Sequence, residues 1–470
     1  MKYVSTRGAA PRLDFEDAAL TGLARDGGLY MPETWPVLSR DQITAFAGKP
    51  YGDVAAEVIA PFMGDAMTAE DLRGMLTRAY APFRHPAAAP LVQTGPNDWI
   101  LELFHGPTLA FKDFAMQVLA PIMDRALARR GDRAAIIAAT SGDTGGAAVE
   151  AFAGRERIDL FVLHPEGRTS EVQRRQMTTV AAPNVHNIAV RGDFDAAQAI
   201  VKALFNDHAF RDRHRLAAVN SINWARIMAQ VVYYFAAAVA LGAPHRAVSF
   251  TVPTGNFGDI FAGYAAKRMG LPIDRLVIAT NVNDILARTL ATGRYEPAGV
   301  VPTSSPSMDI QVSSNFERLL FETGGRDAAL ARTQMETLAQ SGGFTLEPAQ
   351  YAALQASFDA ARAGEHETAR AIAALYERTG YIADPHTAVG LHAAQTCRGD
   401  ESVPMICLAT AHPAKFPDAI ENAIGVSPEL PEALRTRLSA PERYDVLDSD
   451  QAQIADYIAE RTKDTAGLPE

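Results

Sequence analysis

A chain of 470 residues, 48% hydrophobic and 21% charged, has the balance of an ordinary globular protein long enough for several cores. Its formal charge of −11 argues against nucleic acid or an anionic membrane surface as a partner. The two cysteines, Cys397 and Cys407, fit neither a metal pattern nor a disulfide framework and suit a reducing compartment. The opening MKYVSTRG has no apolar signal core, and the longest apolar run, Val231 to Leu241, is too short to span a bilayer. A cytoplasmic protein with a buried helix at that run is expected.

Residues 1–92 read as a helical accessory region. LDFEDAALTGLA and AEDLRGMLTRAYAPF have helical spacing with acidic residues near their starts, and Asp26-Gly27-Gly28 marks a turn between them. Beyond residue 95, short segments rich in Val and Ile alternate with helical patterns. Strands are expected at 134–139, 160–163, 185–190, 248–252, 276–279 and 405–409, which gives an α/β fold with a largely parallel sheet. Residues 325–396 read as mostly helical, and the polar stretch after 428 as a peripheral tail.

The stretch LELFHGPTLAFKDFAMQVLA, 101–120, is unusual. Gly106-Pro107 makes a turn, Lys112 follows Phe111, and Phe114, Val118 and Leu119 recur at helical spacing. Lys112 therefore sits where an apolar helix begins. Burial there would disfavour its ammonium form and make the amine a nucleophile or base. Taken alone, the stretch reads more plainly as a lysine whose stem lies on Phe111 and Phe114.

Ligands of open α/β sheets sit at the carboxyl ends of the strands, and several segments placed there carry suitable chemistry. Thr140-Ser141-Gly142-Asp143-Thr144-Gly145-Gly146 offers glycines, hydroxyls and helix-start amides that suit a carboxylate, or else forms a tight turn with an ordinary cap. Pro253-Thr254-Gly255-Asn256-Phe257-Gly258-Asp259 has the make-up of a phosphate cup at a helix amino terminus. It matches neither the Walker A nor the dinucleotide pattern. Thr410-Ala411-His412-Pro413-Ala414-Lys415-Phe416 places a threonine hydroxyl at a strand end. Asn220-Ser221-Ile222-Asn223-Trp224-Ala225-Arg226 opens the long apolar helix and could bind a phosphate through Arg226, Asn220 and Ser221. Ser170 and Gln173 have capping-box spacing, and Arg174-Arg175 after them reads as a solvated face.

HGPTLAFKDFA, TSGDTGGAA, NSINWARI, PTGNFGD and LATAHPAKF, in this order, resemble the threonine synthase family, as do STRG and DGGLYMP near the amino terminus. The resemblance spans essentially the whole chain. It implies a pyridoxal-phosphate (PLP) enzyme of fold type II, tryptophan-synthase β-like, with two open, largely parallel sheets flanked by helices. The implied division is an accessory domain at 1–92, a PLP-binding domain at 93–135 and 241–428 with a helical insertion at 325–396, a smaller mobile lobe at 136–240, and a tail at 429–470. It further implies that Lys112 joins PLP, that Gly255, Asn256, Phe257, Gly258 and Asp259 wrap its phosphate, and that Thr410 faces the pyridine nitrogen. A threonine there does not hold that nitrogen protonated. Thr140, Ser141, Asp143 and Thr144 would surround the substrate carboxylate. Asn220, Ser221 and Arg226 would take the substrate phosphate, with Thr144 in reach. A carboxylate at Asp143 would repel a carboxylate ligand unless its charge is offset or it faces away.

The implied substrate is O-phospho-L-homoserine, turned with water into L-threonine and phosphate by a monomer or weak homodimer without metal, nucleic acid or membrane. A serine/threonine dehydratase-type PLP lyase is the alternative enzyme. A non-catalytic relative that binds PLP or a phosphorylated metabolite is the alternative from another class.

Overall fold

The alternation of short apolar segments with helices produces two open sheets in the computed structural model, which describes residues 1–140 and 142–462. The larger sheet runs in the order Phe358–Arg362, Ile273–Thr280, Val248–Pro253, Met405–Ala409, Asp98–Glu102, Leu91–Gln93. All its pairings are parallel except the last. The smaller sheet is parallel throughout, in the order Asp445–Asp448, Val185–Arg191, Ile158–Pro165, Ala134–Ala139, Leu216–Ala217. Central strands such as Val248–Pro253 are buried at every position. They therefore read as continuous apolar runs, as expected for parallel strands covered on both faces.

Two helices fill the space behind the sheets. Lys112–Arg130 packs against Trp224–Ala240, whose residues are buried nearly all the way round. That burial accounts for the long apolar run. Each fully buried large apolar side chain there contributes about 1.5–3 kcal/mol. Asn223 starts the second helix by accepting from the Ala225 amide, and its Nδ2 donates to the carbonyls of Ala19 at 2.8 Å and Ala218 at 2.9 Å. Among the described residues no helix is long and apolar enough to cross a membrane.

The amino-terminal region is less helical than its periodicity suggests. Tyr3–Ser5 pairs antiparallel with Tyr30–Pro32, alongside helices Phe15–Thr21, Tyr51–Met63 and Ala69–Tyr80. The segment is bonded to the rest of the chain: Thr6 Oγ1 donates to Glu317 at 2.6 Å, and Arg7 pairs with the same carboxylate at 2.9 Å.

Two readings change. Within the mostly helical stretch 325–396, Phe358–Arg362 is a parallel edge strand beside Leu276 to Thr280. FDAAR has no β-branched residue, so its conformation comes from the neighbouring strand rather than from propensity. The stretch after residue 429 is not peripheral: Asp445–Asp448 pairs with Val185–Arg191, and Ile454 and Ile458 of helix Gln451–Arg461 are buried in the small sheet's core.

Candidate active site

Lys112 is the first residue of helix Lys112–Arg130 and is 9% exposed. The loop before it turns through Leu109 in the left-handed region, φ 62°. Asp113 locks that turn by accepting from the Thr108 amide at 2.8 Å and hydroxyl at 2.6 Å. Burial pushes the Lys112 pKa down. Asp143 opposes the shift, while Lys415 and Arg226 add to it. The helix amino terminus also disfavours a cation at this position. The Phe111 ring lies 5.1 Å from Nζ, so the aromatic contact of a snorkelling lysine is present too. It is a buried contact here, beside a carboxylate, rather than a route to solvent.

The loop between Ala134–Ala139 and helix Asp143–Phe152 is closed by Thr140, whose Oγ1 accepts from the amides of Gly142 and Gly145, both at 3.0 Å. Thr140 therefore shapes the loop, and only its hydroxyl proton remains to offer a ligand. Gly142 has φ 153°, and a Cβ on it would lie 2.4 Å from Gln173 Cδ, so only glycine fits. Thr144 is partly exposed, and Ser141 lies outside the described residues.

Asp143 is buried against two cations. Its Oδ2 is 3.3 Å from Lys112 Nζ and its Oδ1 2.6 Å from Lys415 Nζ, while Gln173 Nε2 donates to Oδ1 at 2.9 Å. Burial alone would raise its pKa; Lys415 first and Lys112 second hold it well below the usual carboxylate range. The repulsion expected of a lone carboxylate is thus offset within the protein. Asp143 as a direct substrate ligand gives way to Asp143 as the acceptor for Lys112.

The third loop turns from strand Val248–Pro253 into helix Gly258–Arg268 through Phe257, which is left-handed at φ 61°. A glycine-containing turn into a helix amino terminus is a place where backbone amides can receive an anion. The loop is braced from behind. Ser313 Oγ donates to the Gly255 carbonyl at 2.5 Å, and Asn315 donates to the Asn256 carbonyl through both its backbone N–H and Nδ2, each at 3.0 Å. Asn315 is bonded to Arg318, whose Nη2 donates to Tyr30 O at 3.0 Å and Ile222 O at 2.6 Å. A Cβ on Gly255 would lie 2.7 Å from the Ser307 carbonyl oxygen. Gly255→Ala is therefore expected to displace the loop and weaken PLP binding at least about tenfold, with about 1–3 kcal/mol lost in stability. Titration of the cofactor-free variant with PLP measures the first effect and urea denaturation the second.

Asp259 has two parts to consider. Its amide belongs to the first turn of the helix, but its carboxylate turns away into helix Trp224–Ala240, accepting from Tyr233 at 2.5 Å and Tyr234 at 3.0 Å. Any part of Asp259 in wrapping a phosphate would therefore fall to its backbone amide. Burial pushes the Asp259 carboxyl up to about 6, with the tyrosines opposing the shift. The folded state thus prefers the protonated form. That preference stabilises below the usual carboxylate value and is lost as pH rises toward 6, so the carboxylate costs on the order of 3 kcal/mol at neutral pH. Asp259→Asn is expected to raise the stability of the cofactor-free protein at pH 7.5 and to change it little at pH 4, as urea denaturation at both values would read.

Arg226 is 2% exposed, with Nη1 donating to the Val219 carbonyl at 3.3 Å and Nε buried without a partner. Among the described residues no carboxylate pairs with it, and burial pushes its pKa down to about 10. An uncompensated guanidinium costs several kcal/mol in the absence of an anion, which marks a site built to receive one. Ser221 lies beside the cup, its Cβ 3.4 Å from where a Cβ on Gly258 would stand, whereas Asn220 is exposed. Thr410 is buried at the end of strand Met405–Ala409, and its carbonyl accepts the Phe111 amide at 2.9 Å, which ties it to the lysine loop.

Several residues of the site were not read from sequence. Lys415, Gln173, Ser313, Asn315 and Arg318 hold the loops from outside. Ser170 does accept the Gln173 amide at 3.3 Å, but the Gln173 side chain reaches Asp143 rather than closing a capping box. The Arg174-Arg175 pair is corrected as well. Arg174 is bonded to Glu442 at 2.8 Å, and Arg175 to Glu171 at 3.1 Å and the Leu438 carbonyl at 2.9 Å, so both anchor the carboxyl-terminal stretch.

A buried lysine, a braced amide cup and a neutral strand-end threonine, at the carboxyl ends of two open parallel sheets, define a pyridoxal-phosphate-dependent enzyme of fold type II. Family models agree: "Pyridoxal-phosphate dependent enzyme" matches residues 86–407, "Threonine synthase N terminus" residues 2–80, and "Threonine synthase, C-terminal" residues 387–458. The chain is 50% identical over 461 residues to the threonine synthase of Pseudomonas aeruginosa, covering 98% of each, and 43% identical to that of Schizosaccharomyces pombe over 90% of this chain and 89% of that one. The solved PLP-bound threonine synthase of Brucella melitensis superposes with a TM-score of 0.96 at 56% identity, over 99% of this chain and 100% of that one. The yeast threonine synthase does so at 0.92 and 39%, over 98% of each. This chain belongs to the threonine synthase family and is a PLP-dependent lyase. A tomato threonine deaminase, at 14% identity and a TM-score of 0.51, shares the fold alone.

The residues present fit the cofactor. The Lys112 amine is buried with a depressed pKa, the cup presents amides rather than side-chain charge, and the unpaired Arg226 Nε supplies a second anion partner beyond the cup.

Proposed function

We propose that this chain converts O-phospho-L-homoserine and water to L-threonine and phosphate, with Lys112 as the amine that joins PLP. PLP, once bound, supplies an electron sink that lets bonds at the substrate's Cα, Cβ and Cγ break in turn. The amides of Gly255, Asn256, Phe257, Gly258 and Asp259 receive its phosphate, and Thr410 stands at the pyridine nitrogen as a neutral partner. Substrate binding frees the Lys112 amine. Lys112 would take the proton from Cα and pass it to the conjugated system that the bound cofactor supplies, take a second proton from Cβ as phosphate leaves Cγ, return that one to Cγ and, as water adds at Cβ with its spare proton going to the released phosphate, return the first to Cα. A base with its pKa lowered by burial can accept and release protons at neutral pH.

Thr140, Ser141 and Thr144 orient the substrate carboxylate through hydroxyls and the amides of helix Asp143–Phe152. Arg226, with Ser221 and Asn220, holds the substrate phosphate and then the released phosphate. Segment 136–240 is the lobe that closes over the ligand. The working unit is a monomer or weak homodimer in the cytoplasm.

The observation that carries the substrate assignment is Arg226, a buried guanidinium with no anion of its own among the described residues. A dehydratase substrate has no phosphate to fill that place. Incubation of the PLP-loaded protein with phosphohomoserine should release threonine and inorganic phosphate in equal amounts. Keto acid from threonine, without phosphate from phosphohomoserine, would replace this reading with the dehydratase one.

A further inference from the structure

Lys415 has no role in the scheme above, yet it is a deeply buried cation at the site, 1% exposed. It ends the short turn Pro413–Lys415 after strand Met405–Ala409. Its Nζ donates to the Thr108 carbonyl at 3.0 Å and pairs with Asp143 Oδ1 at 2.6 Å. Gln173 donates to that same oxygen. Oδ1 is thereby saturated, and Oδ2 is the oxygen left for Lys112 at 3.3 Å. A buried carboxylate with only Lys112 for company would lose its compensation once that amine joins another group, and it would face an anionic substrate.

We propose that Lys415 is a positioning residue of the reaction, which neutralises Asp143 and aims its Oδ2 at Lys112, so that the site keeps an acceptor for the reacting amine without net negative charge. This rests on Lys112 being the cofactor lysine. The charged and titratable groups around that amine are Asp143, Lys415, Arg226 and, on helix Gly258–Arg268, Asp259; the Phe111 ring faces it as well. Asp143 favours the ammonium form while Lys415 opposes it. Removing Lys415 leaves Asp143 acting with only Gln173 to share its charge, and removing both returns the balance.

The test uses the full-length, cofactor-free chain. The rate at which acetic anhydride modifies Lys112 is followed against pH by peptide mass spectrometry, and PLP affinity is measured by titration. Lys415→Met is expected to move the midpoint of Lys112 modification up by about one pH unit and to weaken PLP binding about tenfold. Asp143→Asn/Lys415→Met is expected to bring both back close to the unsubstituted protein. An unmoved midpoint in Lys415→Met, or a double variant as far displaced as the single one, overturns the proposal, since a merely structural tie would not be mended by removing its other half. If Lys415→Met does not fold, the double variant decides: a normal midpoint supports the pairing, and failure to fold or a shifted midpoint refutes it. The labelling involves no substrate. Absence of phosphate release from phosphohomoserine would therefore sink the substrate reading while leaving this result standing.

Discussion

Lys112→Ala should lower phosphate release from phosphohomoserine by at least about 10⁴-fold, because one side chain both joins the cofactor and moves the carbon-bound protons of the scheme. The variant should still fold. Asp143 loses its contact with Lys112 but keeps Lys415 at 2.6 Å and Gln173 at 2.9 Å, so no buried carboxylate is left unpaired. Borohydride treatment of the PLP-loaded protein should attach the cofactor to the Lys112 peptide in the unsubstituted chain and to nothing in the variant. Mass spectrometry of the digested protein reads that difference, and a variant with undiminished turnover would remove Lys112 from the mechanism.

Arg226→Met should make the empty protein more stable and the enzyme much worse. The guanidinium is buried, and among the described residues its Nε has no partner and its one bonded acceptor is the Val219 carbonyl. Replacing such a charge with an apolar side chain of similar length relieves about 1–3 kcal/mol. The same change removes a charge-assisted pair with the substrate phosphate, so kcat/KM should fall about 10²- to 10³-fold. Urea denaturation of the cofactor-free protein gives the first quantity, and initial rates of phosphate release give the second. A variant that is destabilised and still turns over normally would show Arg226 to be a packing residue. Stability given up at an anion site is the expected signature of function.

How much of this was legible in the sequence depends on how local each feature is. The position of Lys112 at a helix start followed from Gly106-Pro107 and the spacing of Phe114, Val118 and Leu119, and the helix does begin there. The strand-to-helix turn at 253–259 was legible because glycine between a strand and a helix is a local pattern, but its left-handed residue is Phe257 and not one of the glycines that favour that conformation. The supports were not. Asn315 reaches Asn256 across 59 positions and Lys415 reaches Thr108 across 307, and no spacing rule relates such pairs. The direction of the Asp259 carboxylate was not legible for a related reason. Its place in the motif fixes its amide, but the direction of its side chain is set by Tyr233 and Tyr234 on another helix. Phe358–Arg362 and Asp445–Asp448 escaped because each is a short strand defined by the neighbour it pairs with.

The strand Asp445–Asp448 has one more consequence. It covers the outer side of Val185–Arg191, whose Ile188, Ala189 and Val190 are buried. A chain shortened to residue 428 would bare that strand's amides and carbonyls in a line, the template on which a second copy can add its own strand. The final stretch therefore closes that edge only once it has been made, and during synthesis Val185–Arg191 stands uncovered for more than 250 residues.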